Sequence, residues 1–208
     1  LCGVDLLALA RHTHTMELLS DSTLIGAPQV PYRIVVSGSE CTGKSTLVRA
    51  LAAEYRAAFS DEAARTFVEE TAREVSASDV TTIAERQRDL EDIAINTDTA
   101  VVLHDTDLFS TVIYARYYFG SCPLSVLEMA RARRADLYLL CKDDLPWQND
   151  PLQRMAPEPR AREALQTVFH TTLKSEGCCI EIVRGAGRAR LISARAAIAQ
   201  HCAELIDR

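Results

Sequence analysis

The sequence predicts an α/β protein with a parallel sheet and helices on both faces. Two observations carry that expectation. Short apolar, β-branched runs alternate along the chain with stretches whose apolar residues recur at helical spacing, as in repeated βαβ units. A glycine-rich turn then joins the first such run directly to the first helix, so a strand's carboxyl end meets a helix N-terminus. Size and composition agree: 208 residues, 48% hydrophobic and 25% charged, describe a globular chain with a full core and argue against intrinsic disorder.

The elements follow in order. Residues 1–31 form a weakly patterned lead-in ending in Ala27-Pro28 and Pro31, and residues 32–208 form the folded domain. Arg33-Ile34-Val35-Val36, bounded by Ser37-Gly38, reads as a buried strand. A helix runs from Lys44 with Leu47, Val48, Leu51, Ala52 and Tyr55 on one face. A second strand, weakly signalled, falls near Ala58 to Asp61. Asp79 is placed to cap a helix that turns Val80, Ile83, Ala84, Leu90 and Ala94 inward, with Gln87 on the same stripe. Thr99 to His104 is the next strand, and a helix from Leu108 to Phe119 stops at Gly120. Pro123 to Arg134 suits a further helix and Asp136 to Cys141 a strand. Pro146 to Pro159 is polar and proline-punctuated, an excursion over the surface. A helix near Arg160 to Lys174, a strand at Cys179 to Val183, and a last helix carrying Leu191, Ala194, Ile198, Cys202 and Leu205 complete the chain. In such a fold, ligands bind at the carboxyl ends of the strands.

Charge and cysteine usage narrow the class. Lys and Arg total 23 against 29 Asp and Glu, a net charge of −6, so the phosphate-neutralising surplus of a nucleic-acid binder is missing. No apolar run approaches the roughly 20 residues needed to cross a bilayer. Leu1 to Ala10 is apolar, but Asp5 interrupts it and no basic segment precedes it, so it does not read as an export signal. The seven cysteines are odd in number and lack a zinc-like spacing, which reads as free thiols in a reducing cytoplasm.

The chemistry starts at Gly38-Ser39-Glu40-Cys41-Thr42-Gly43-Lys44-Ser45, followed by Thr46, which fits G-x-x-x-x-G-K-[ST] in full between a strand and a helix. Two glycines let the chain curl so that successive N–H groups converge on the phosphates of a nucleotide, and the helix adds its positive end. Lys44 reaches the outer phosphates and the Ser45 hydroxyl ligates magnesium. Asp105 and Asp107 follow the strand that lies beside the loop's strand. Asp105 is placed to hold the metal or to take the proton of an attacking hydroxyl, and Asp107 to touch substrate or to cap the next helix. His104 reads as structural.

The proline-bounded excursion carries Trp147, Asp150 and Arg154, with Arg160 and Arg162 after it. A mobile arginine-bearing lid over about residues 146–162 suits phosphoryl transfer, which needs charge neutralisation and exclusion of water. Glu62, Arg65 and Gln87 sit in apolar settings where they need hydrogen bonds, from a sugar's hydroxyls or from each other. Tyr114, Tyr117 and Tyr118 form a stripe at helical spacing, core by default, with stacking on a substrate ring as the alternative.

Together these stretches resemble the nicotinamide riboside kinase domain of the bifunctional bacterial NAD-salvage regulator and related AAA-type single-domain ATPases. The likeness runs from about Arg33 to Leu205. Its pieces are the phosphate loop, Glu62-Ala-Ala-Arg65, Arg86-Gln87-Arg88, Asp105-Thr106-Asp107 and Pro146-Trp147-Gln148-Asn149-Asp150. The resemblance implies a P-loop, nucleoside-kinase-like fold with a five-stranded parallel sheet and a lid. It also implies transfer of the ATP γ-phosphate to the 5′-hydroxyl of nicotinamide riboside. It matches Asp105 to the carboxylate at the reacting hydroxyl and Trp147, Asp150 and Arg154 to the lid. The cationic pyridinium suits an acidic site with an aromatic face. One departure is Asp150-Pro151-Leu152-Gln153-Arg154, a residue longer than the family's spacing, which leaves Arg160 or Arg162 as alternatives to Arg154. The adenylyltransferase domain of the bifunctional protein has only some thirty residues in its place, so one of the two salvage steps is expected here.

Three rival readings stay open. A GTPase is suggested by Lys142 and Asp144, but position 141 is Cys and position 108 is Leu where that class needs other residues. A kinase of another nucleoside or small alcohol shares the fold, and a regulatory ATPase without a small acceptor shares the phosphate loop. The expected cofactors are ATP and Mg2+. The expected partners are a nucleotide and a small-molecule substrate, with no nucleic acid and no membrane, and a homo-oligomer is compatible with the chain.

Overall fold

Val35 divides the molecule in two. Its neighbours Ile34 and Val36 pack against one layer of helices while Val35 packs against the other, as the two-residue period of a strand requires. The computed structural model describes residues 30–146 and 159–202. In chain order these form β1 (Tyr32–Ser37), α1 (Lys44–Tyr55), β2 (Ala58–Ser60), α2 (Ala63–Thr71), a 3-10 turn (Ala77–Asp79), α3 (Val80–Ile95), β3 (Val101–Asp105), α4 (Leu108–Phe119), α5 (Leu124–Ala132), β4 (Leu137–Cys141), α6 (Pro159–Ser175), β5 (Ile180–Val183) and α7 (Gly187–His201). Five strands pair in the order β2-β3-β1-β4-β5, every pairing parallel.

Each face has its own core. Ile34, Val36, Leu103, Leu137 and Leu139 meet Leu47, Val48 and Leu51 of α1 and Ala194 and Ile198 of α7. Val35, Tyr138 and Leu140 meet Phe109 and Ile113 of α4, Val126 of α5, and Leu165 and Phe169 of α6. Fully burying such side chains is worth about 1.5–3 kcal/mol each, so both layers are held by apolar burial. A smaller cluster of Ala63, Phe67 and Ile83 joins α2 to α3.

The weak second strand is present, pairing Ala58 with Val102 and Ser60 with His104. His104 is buried beside it, its Nδ1 2.8 Å from Ser60 Oγ, and burial lowers its pKa to about 4, so the ring is neutral and structural. The pattern did not reveal α2, whose nine residues bury only Ala63 and Phe67. Asp79 needs correction. It precedes α3, but its side chain does not cap that helix; it accepts from Ser76 N at 2.8 Å and closes a capping box around the 3-10 turn. Arg73 also grips this carboxylate, 2.7 Å away. On α3 the inward stripe includes Glu91 as well as Gln87, while Leu90 packs on the small cluster instead.

The chain leaves β1 for β2, skipping the place later filled by β3, and returns across β1 to reach β4. The strand order therefore reverses at β1, and its carboxyl end opens into the crevice where parallel α/β folds bind ligands.

Candidate active site

The phosphate loop leaves that carboxyl end under tight constraint. Gly38 has φ +135°, and a Cβ there would lie 2.9 Å from the carbonyl oxygen of Cys141 on β4, so no other residue fits the approach. Cys41 and Gly43 are both in the left-handed region, which curls the loop back on itself. Thr42 Oγ1 and Lys44 Nζ each donate to the carbonyl of Ser39 at 2.8 Å, closing the curl from within. At the start of α1 no side chain caps the helix and no acidic residue sits in its first turn. The positive end of the helix is thus left for an anion. Glu40 through Thr46 line the cavity, whereas Gly38 and Ser39 form the back of the loop.

Two aspartates on β3 and α4 are sent in different directions by the residue between them. Asp105 ends β3, in register with Val36 of β1. It is buried, and its Oδ1 has no hydrogen-bond partner, an orphan that a cation or a ligand hydroxyl would satisfy. Thr106 takes φ +67°, uncommon for a β-branched residue, and hydrogen-bonds back to Val36 O at 3.1 Å. Asp107 then turns into the fold as the N-cap of α4. Its Oδ1 accepts from Ser110 N at 3.1 Å and its Oδ2 from the Tyr138 hydroxyl at 2.9 Å. Burial raises its pKa to about 6 while these hydrogen bonds pull the other way. The expectation that Asp107 meets substrate therefore gives way to capping: both oxygens serve α4 and β4, and the side chain does not line the cavity.

The cavity holds about 770 Å3 and runs on from the phosphate loop between α2, α3 and α4. Glu62 and Arg65 enter from the start of α2, Tyr114 and Tyr118 from α4, and Gln87 from α3. Glu62 is half-buried. Loss of hydration pushes its carboxyl above the usual range, Lys44 pulls it down, and Asp105 pushes it further up. The Tyr114 hydroxyl is raised well above its ordinary value, first by burial, then by Glu40 and Glu62. The Tyr118 hydroxyl donates to Glu40 Oε1 at 2.9 Å, fastening α4 to the phosphate loop, and the Tyr114 and Tyr118 rings stack 5.9 Å apart. Two carboxylates, Glu40 and Glu62, thus share one space with Lys44, Arg65 and a tyrosine pair, and Arg188 and Arg190 line it further along. Gln87 is divided: its Oε1 accepts from Ala63 N at 3.0 Å, a structural bond, while the residue still lines the cavity.

Trp147, Asp150 and Arg154 lie outside the described residues, as does most of the proposed lid. Arg160 is exposed at the start of α6. Arg162 is buried, and its Nη2 donates to the carbonyl of Leu145 at 3.2 Å. The cavity also extends from the phosphate loop to Leu145, Pro146, Ala186, Gly187 and Arg188. Of these the sequence marked only Pro146, as the start of the lid; the others belong to no motif.

A family model described as an AAA domain matches residues 33–190. Among solved structures, the NadR protein in complex with NAD and AMP-PNP superposes with a TM-score of 0.66 at 25% identity, covering 84% of this chain and 50% of that one. The NadR protein in complex with NR gives 0.65 at 24% identity, covering 83% and 51%. A thymidylate kinase from Ehrlichia chaffeensis gives 0.58 at 14% identity over 82% of this chain and 98% of its own, which speaks for the fold alone. The chain spans about half the length of the NadR structures. No curated protein matches it by sequence. A nucleoside-kinase-like P-loop fold, a complete phosphate loop at the strand-order reversal, and a family match spanning most of the chain agree: the protein belongs to the AAA-domain family.

Proposed function

We propose that the protein is an ATP- and magnesium-dependent kinase that phosphorylates the 5′-hydroxyl of nicotinamide riboside, giving nicotinamide mononucleotide. The observation that carries this reading is the continuity of the cavity. One end is the phosphate loop, and the adjoining space is walled by Glu40, Glu62, Tyr114 and Tyr118, an anionic and aromatic lining suited to a cationic ring on a hydroxylated sugar. The NadR structures with NR and with AMP-PNP support the same pairing of acceptor and donor.

In this reading the loop N–H groups and Lys44 hold the donor phosphates and stabilise charge on the transferred group. Ser45 and the orphan Oδ1 of Asp105 fit a magnesium ion, which when bound neutralises phosphate charge. Glu62, half-buried beside Lys44, takes the proton of the 5′-hydroxyl as its oxygen bonds the γ-phosphorus and the bond to the β-phosphate oxygen breaks, releasing ADP. Arg65 faces the same space and balances charge there. Trp147, Asp150 and Arg154, outside the described residues, keep the lid role that the resemblance implies.

The test is ADP release with ATP and magnesium in the presence of nicotinamide riboside, uridine, thymidine, pantothenate or no acceptor. The expected result is release only with nicotinamide riboside, matched one-for-one by the mononucleotide. Release indifferent to every acceptor would replace the kinase with a regulatory ATPase.

A further inference from the structure

Arg190 belongs to no motif, yet among the described residues it is one of the most buried charged side chains, 3% exposed on α7. Its guanidinium joins three loops. Nε donates to the carbonyl of Gly185 at 2.6 Å, after β5. Nη2 donates to the carbonyl of Lys142 at 3.0 Å and to Asp144 Oδ1, both after β4. Nη1 donates to the carbonyl of Thr42, inside the phosphate loop itself. Asp144 Oδ2 accepts from Gly185 N at 2.7 Å, which closes the ring of bonds and supplies the buried cation with its counter-charge.

The same loops run straight into one end of the cavity. Leu145 and Pro146 follow Asp144, and Ala186 and Gly187 follow Gly185. Leu145 also reaches the phosphate loop, since a Cβ on Gly43 would lie 3.0 Å from its Cδ1. Small and apolar residues with the Arg188 guanidinium among them, set beside a phosphate cradle, suit the heteroaromatic base of the nucleotide whose phosphates the cradle holds, since a planar guanidinium stacks on such a ring.

We propose that Arg190 is a positioning residue for the donor nucleotide: it locks the base-end wall to the phosphate loop, so that both ends of the nucleotide meet one rigid frame. The inference rests on reading the phosphate loop as the donor site. A base contact adds affinity only when its wall stands at a fixed distance from the phosphates, because an unfixed wall must be ordered on binding. The planar fork of arginine serves several acceptors at once, which the single ammonium of lysine does not.

The experiment uses the full chain, with magnesium, and two probes: ATP and inorganic tripolyphosphate, which has phosphates but no base. Their dissociation constants are measured for the wild type, Arg190→Lys and Asp144→Asn, with thermal melts to show folding. In Arg190→Lys, ATP is expected to weaken about tenfold or more while tripolyphosphate changes less than about twofold, and the KM for ATP rises more than kcat falls. Asp144→Asn, which keeps the carbonyl contacts of the guanidinium, should shift the ratio the same way by about threefold. Equal weakening of both probes would overturn the proposal, since Arg190 would then serve the fold alone. So would no weakening of either. If Arg190→Lys does not fold, an unchanged ATP-to-tripolyphosphate ratio in Asp144→Asn overturns it. A wild type that binds neither probe removes the donor-site reading, and the proposal with it.

Discussion

Lys44 Nζ lies within its own loop, bonded to the carbonyl of Ser39 at 2.8 Å, and must exchange that carbonyl for phosphate oxygens when a nucleotide enters. Lys44→Ala is expected to lower turnover by about a hundredfold or more, measured as ADP release at saturating acceptor, because one fixed positive donor at the transferred group is lost. Glu62 offers a sharper test. Burial holds its pKa above the ordinary glutamate value, so its base form is depleted further up the pH scale than for a free carboxyl. kcat/KM should therefore rise with pH through an acid limb displaced upward, and Glu62→Gln should abolish that limb with a loss of about a hundred- to ten-thousandfold. A limb that persists in Glu62→Gln would return the base role to Asp105. The sequence offered Asp105 for the base or the metal and Glu62 only as a substrate contact. The base role proposed for Glu62 was not legible there, because it depends on one oxygen of Asp105 lacking a partner and on Glu62 standing beside Lys44.

Two helix starts sit on the same rim and are treated oppositely. The phosphate-loop helix α1 begins without a side-chain cap, leaving its dipole to a ligand. Helix α4 is capped by Asp107, which also receives the buried Tyr138 hydroxyl. Asp107→Ala is expected to destabilise the protein by about 1–3 kcal/mol in urea denaturation, since it removes a cap and leaves a buried hydroxyl without its acceptor. The KM for acceptor in the folded fraction should stay near that of the wild type; a large rise with unchanged stability would restore the substrate role. The spacing of Asp-Thr-Asp showed that two carboxylates close a strand. It does not say which one turns inward, because that follows from the left-handed φ of Thr106 and from a tyrosine 31 residues further on.

At the scale of the whole molecule, the layer behind the site carries groups whose titrations oppose each other. Glu91 on α3 is buried near Asp107, and despite Arg133 at 3.2 Å its pKa is pushed up to about 8, first by burial and then by Asp107. Folding thus favours its protonated form. That stabilisation is full below the ordinary value near 4.5 and is lost as pH rises toward 8. His104, lowered to about 4, acts the other way: its contribution is full above the ordinary value near 6.5 and is lost as pH falls toward 4. Asp107, raised to about 6, and Glu62, also raised, slope the same way as Glu91. His104 therefore opposes all three up to about pH 6.5 and offsets none of the loss above it. The melting temperature is expected to fall between pH 6.5 and 8.5, and Glu91→Gln should flatten that fall. An equal fall in the variant would assign it to other groups.

By itself the sequence determined the alternation of strands and helices, the complete phosphate loop with its required glycines, and the set of polar residues gathered around it. These are local properties, written in periodicity and in the backbone freedom of single positions such as Gly38. Only the tertiary structure decided which of those residues share a cavity, that Asp107 belongs to the fold, and that Arg190 and Asp144 tie the phosphate loop to the far wall. Such assignments depend on contacts between residues as much as 148 positions apart, as between Arg190 and Thr42. The order β2-β3-β1-β4-β5 creates that proximity, and no local pattern encodes it.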